Sequence, residues 1–88
     1  MPYVTKEVRA AMAFELDELV EKLAPCCPGD LTYAITVLAY EWLKKQTPWN
    51  FTRLAETLGA IEGAKLEFYR RVAAKYEDEK IEQNGDVF

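Results

Sequence analysis

Histidine is absent from this chain. Its absence removes the commonest general base and the usual hydrolytic triads. It also removes the Glu-x-x-His pattern by which helical bundles hold metal, although Glu62 and Glu67 alone could in principle reach one. Cysteine is limited to the adjacent pair Cys26-Cys27. Neighbouring cysteines rarely bond to each other because the geometry is strained. Without histidine or a third thiol, one chain cannot build a usual zinc site. Reduced thiols in a helix connection are expected. No apolar run approaches the about 20 residues of a membrane span. The opening Met1–Glu7 lacks a signal peptide's apolar core, so the cytoplasm is the expected location. No Gly-rich phosphate loop follows a strand. These gaps point away from an enzyme, and no cofactor is expected.

What the chain does have is apolar and helical in pattern. Of 88 residues, 50% are hydrophobic and 12% aromatic, too many for a disordered segment. The net charge of −4 argues against binding a nucleic-acid polymer. The length allows one small domain, and such chains often gain stability by assembling.

The stretch Ala60–Tyr76 organises the rest. Asn50 is a good N-cap, and Leu54, Leu58, Ile61, Phe68 and Val72 recur at three- and four-residue steps. A helix from Phe51 to Glu79 is expected, roughly 40 Å long at 1.5 Å per residue. Lys65 falls on the apolar row, with Glu62 three residues away as its partner. Ala55, Gly59 and Gly63 form a second, small-residue stripe, suited either to packing within the chain or to a close crossing with another copy. Arg70, Arg71 and Lys75 make the far end basic, a run that can also serve simply as a solvated face.

Two helices precede it. Thr5 caps the first, expected over Thr5–Ala24, with Val8, Met12, Leu16, Leu19, Val20 and Leu23 on one face. Pro25-Cys26-Cys27-Pro28-Gly29 is a stiff turn. Asp30 is expected to cap the second helix, Leu31–Gln46. That helix has two apolar faces, one carrying Leu31, Ala34, Ile35, Leu38, Trp42 and Leu43, the other Tyr33, Val37 and Tyr40. Trp49, in the next connection, is expected to close the core. The acidic run Glu77–Gln83 is expected to fray, and Asn84-Gly85 reads as a turn.

Together these features predict an all-α fold: a three-helix antiparallel bundle with a long projecting third helix. The domain is expected over residues 1–79, followed by an acidic tail, 80–88. The two-faced second helix and the long third one predict a homo-oligomer, most simply a dimer. Its interface is expected at Tyr33, Val37 and Tyr40 or at Gly59 and Gly63.

Several phrases occur in order along the chain: Met1-Pro2-Tyr3-Val4, the segment Pro28–Thr36, Ala64–Val72, Tyr76-Glu77-Asp78 and Asn84-Gly85-Asp86-Val87. In these the chain resembles a family of short proteins from bacteria and their phages that has no assigned general activity. The resemblance implies a phage or prophage origin and supplies no catalytic residue. A looser likeness is to small helical phage proteins that act as oligomeric sponges for nucleotide immune signals.

Two functions follow as expectations. In the first, the chain sequesters a phosphate-bearing small molecule of the cyclic-nucleotide type at a subunit boundary. Arg70 and Arg71 would pair with phosphates, Lys65 would add a point charge, and Tyr69 or Tyr33 would stack on a base. In the second, it is a protein-interaction module, a helical dimer engaging a phage or host protein without any small molecule. Pairing of the basic helix with the acidic tail between subunits would satisfy both charges without a ligand.

Overall fold

A computed structural model describes residues 4–88, and among these there is no strand. Four α-helices and one π turn follow in order: α1 (Lys6–Leu23), α2 (Pro28–Lys45), α3 (Phe51–Phe68), the π turn (Tyr69–Ala73) and α4 (Ala74–Asn84). The chain divides into two compact units, one ending at Leu38 within α2, the other Ala39–Phe88.

The first unit begins at a cap. Thr5 is extended, and its hydroxyl accepts from the Val8 N–H at 3.2 Å, satisfying one of the orphan donors of α1. The helix ends at Leu23, and Pro25 lies just beyond, where its ring disfavours further helix. The second helix starts three residues earlier than expected. Pro28 occupies its first position, where a missing N–H costs nothing. Asp30 therefore does not sit ahead of the helix as its cap. It lies inside the first turn and reaches back to the Cys27 N–H and thiol, both at 3.2 Å. This is half of a capping box, with the acid at the third helical position.

In the second unit, Asn50 caps α3 as the sequence suggests, its side-chain oxygen accepting from the Arg53 N–H at 3.1 Å. From Phe51 the backbone stays helical to Asn84 without a break at Gly59 or Gly63. At 1.5 Å per residue this helix is about 50 Å long. It departs from α geometry once, at Tyr69–Ala73, where the Ala74 N–H donates to the Tyr69 carbonyl five residues back. The acidic run does not fray. It forms α4, which stops at Gly85, whose φ of 84° lies in the left-handed region that favours glycine.

Side-chain packing differs from the expected bundle. Among the described residues only Leu43 and Thr57 are buried. Trp49 does not close a core: it is 49% exposed. The helices are specified locally, by caps and i→i+4 hydrogen bonds, while their apolar faces stay largely open to solvent. Burial among the described residues does not support an antiparallel bundle core. No helix is long and apolar enough to cross a membrane among the described residues.

Candidate functional site

The basic end of the long helix is built from α3 and the π turn. Glu67 lies one helical turn before both arginines, and it takes both. Arg71 Nε donates to Glu67 Oε1, and an Arg70 guanidinium nitrogen lies 3.6 Å from the same oxygen. A glutamate N-terminal to an arginine at i,i+4 is the favoured orientation of such a pair. The Arg71 hydrogen bond is the main reason the Glu67 carboxyl is held below its ordinary range, with the charges of Arg71 and Arg70 adding to it. Lys65 has its own partner, Glu62, at 3.7 Å. Lys75 has no acidic partner among the described residues.

Tyr69 is engaged as well. Its hydroxyl donates to Glu77 Oε2 at 2.9 Å. Hydrogen bonding to that carboxylate pushes the phenol above its usual range, and the negative charges of Glu77 and Asp78 push the same way. Two turns beyond, Lys80 stands over the ring of Tyr76, 5.5 Å from its centre.

The expected ligand residues therefore divide. Lys65, Tyr69, Arg70 and Arg71 share one helix, and each is already paired with a carboxylate of that helix. Arg70 and Arg71 share one carboxylate, Glu67, while Lys65 pairs with Glu62 and Tyr69 with Glu77. Tyr33 belongs to the other unit, on α2, and is exposed. Val37 and Tyr40 of α2 are also exposed, and Lys44 stands over the Tyr40 ring at 5.1 Å. Space is open at both Gly59 and Gly63: a methyl group built on either meets nothing within 4 Å.

Open grooves lie elsewhere among the described residues, and two of them concern the features above. One, of about 430 Å³, is lined by Val20, Leu23, Cys26, Cys27, Pro28 and Leu31 at the α1–α2 connection. Both thiols are free there. Cys26 donates to the Lys22 carbonyl and Cys27 to Asp30. The second, of about 360 Å³, lies between Tyr76, Lys80, Ile81 and the turn Gly85–Val87. Among the described residues no group of three or more thiols and carboxylates is placed to hold a metal ion.

The pairing roles of Glu67 and Glu77 and the π turn are not among the features expected from the sequence. Glu67 was legible from its spacing to Arg71. Nothing in the composition of Tyr69–Ala73 announces a π turn.

What the long helix does present is an apolar row. Leu54 is 37% exposed, Leu58 60%, Ile61 39% and Phe68 64%. Eighteen residues make five α turns, so Val72 would lie over Leu54 in an unbroken helix. The π turn takes up an extra residue, so beyond Tyr69 the row no longer keeps the α spacing.

No curated protein and no solved structure matches the chain. One family does match, over residues 1–87 and so almost from end to end. The chain belongs to the family described as Domain of unknown function (DUF6899).

Proposed function

We propose that this protein is a non-catalytic helical interaction module whose apolar helix faces are completed by another polypeptide. One observation carries this reading: the apolar row of the Phe51–Asn84 helix is exposed along its length, while among the described residues only Leu43 and Thr57 are buried. Contiguous apolar surface of a few hundred Å² on a soluble chain marks an interaction site. The closed pairing of Arg70, Arg71 and Lys65 with Glu67 and Glu62 supports the same choice. A phosphate would have to compete with those carboxylates for the basic side chains. Assembly as a homo-oligomer, the antiparallel layering of helices and a cytoplasmic place of action in a bacterial or phage setting belong to this proposal.

The second reading, sequestration of a cyclic-nucleotide-type signal, has one observation in its favour. The side chains of Arg70 and Lys65 are 70% and 75% exposed, so their remaining donors face solvent. A partner helix could complete a phosphate site there.

Native mass spectrometry of the protein purified from the cell that makes it separates the two. More than one polypeptide with no retained small molecule supports the interaction module. A nucleotide-sized mass that stays bound, and is lost in Arg70→Ala, overturns it in favour of sequestration.

A further inference from the structure

We infer that the occupant of the apolar row on the Phe51–Asn84 helix is the same row of a second copy, antiparallel to the first, with the two-fold axis at the level of Gly63. The inference rests on the interaction-module reading and names its partner.

The area is right for a dimer. At about half exposure, Leu54, Leu58, Ile61 and Phe68 present roughly 400 Å². The Lys65 stem, Val72 and Tyr76 beside them bring this to roughly 700 Å². A stable dimer of ordinary size buries about 800 Å² on each partner.

Charge chooses the direction. Lys65 lies within the row, 3.7 Å from Glu62. In a parallel pair in register each Lys65 would face the other, and two like charges would meet within an apolar contact. With the chains antiparallel about Gly63, Leu58 of one copy lies opposite Phe68 of the other, and Ile61 opposite Lys65. Each Lys65 then has its own Glu62 and lies one residue from the level of the other copy's Glu62. The four charges alternate in sign around the axis. The same register places Leu54 against the end of the π turn.

The test uses the full chain with Cys26→Ser and Cys27→Ser and a single spin label replacing Thr52. Residue 52 lies eleven residues from the axis, so antiparallel copies put the labels about 35 Å apart, and parallel copies about 10 Å. A dimer at tens of micromolar with the longer distance is expected. In the unlabelled chain Phe68→Asp should weaken the dimer at least about tenfold. Because that variant could unfold, a charge exchange accompanies it. Glu62→Lys and Lys65→Glu should each weaken the dimer, and the double variant should recover it. The shorter distance, or a dimer indifferent to all of these changes, overturns the antiparallel register. A monomer that takes up a different polypeptide overturns the second copy and with it the homo-oligomer, but leaves the apolar row standing as an interaction surface, and a monomer with no polypeptide partner ends both.

Discussion

Tyr69 and Glu77 are eight residues apart, yet the phenol of one donates to the carboxylate of the other at 2.9 Å. Eight residues of α-helix turn through about 800°, leaving such a pair roughly 80° out of line. The extra residue of the π turn removes that offset, so the hydrogen bond and the turn accompany each other.

Changing Tyr69 to Phe should therefore weaken the π turn and alter alkaline behaviour. The folded phenol titrates above its unfolded value of about 10, so its contribution is fully present below that pH and is lost as pH rises through the folded value. An ultraviolet titration of the native protein should show a late tyrosine step, above the ordinary phenol range. In Tyr69→Phe that late step should be gone. A titration unchanged by the substitution would remove Tyr69 as its source.

Glu67 sets the opposite slope. Its carboxyl titrates below the ordinary range because Arg71 donates to it and Arg70 stands near. A depressed carboxylate contributes stability above its unfolded value of about 4.3 and loses it as pH falls through the folded one. Thermal melts followed by circular dichroism should lose midpoint on acidification below that range in the native chain. Glu67→Gln should start lower and fall less. Equal slopes in the two proteins would show that the pair has no part in acid stability.

Much of the secondary structure was legible because its signals are local. Thr5 and Asn50 are caps by residue type, and both hydroxyl and amide make the hydrogen bonds expected of them. Asp30 misled because acid at the first turn and acid at the cap look alike in sequence; Pro28, the favoured first residue, was the better marker. Glu77–Gln83 looked frayed because it is charged, but its helix continues from the π turn and stops at a glycine. The candidate site was less legible. Charge counting over Ala64–Tyr76 revealed the basic residues but not that Glu67 would occupy two of them. Packing was the least legible, because an amphipathic pattern says which face seeks cover and not whose side chains supply it.

The cap at Asn50 holds the start of the helix on which the proposed function depends. Asn50→Ala should cost about 1 kcal/mol, and Asn50→Asp or Asn50→Ser should recover most of it. Chemical denaturation read by circular dichroism measures both. If Asn50→Ala melts like the native chain, the first turn is held by something other than the observed bond from Arg53.

Gly63 distinguishes the two faces on which the helix could meet a partner. It lies nine residues after Leu54, two and a half α turns, and so on the side opposite the apolar row. A methyl group added there meets nothing within 4 Å, and the residue sits in regular helix. Within the chain, Gly63→Ala should therefore stabilise the helix by about 1 kcal/mol through the lower entropy of its unfolded state. If copies meet through the apolar row, the gain should appear as a higher melting midpoint with the assembled mass unchanged, and even Gly63→Leu should leave that mass alone. If they cross instead on the stripe of Ala55, Gly59 and Gly63, backbones approach closely there and each added carbon pushes them apart. Gly63→Ala would then lower the assembled fraction and Gly63→Leu would abolish it. Sedimentation of the two variants beside the native chain, at equal concentration, reads the difference directly, and loss of assembly in Gly63→Leu would refute the apolar row as the interface.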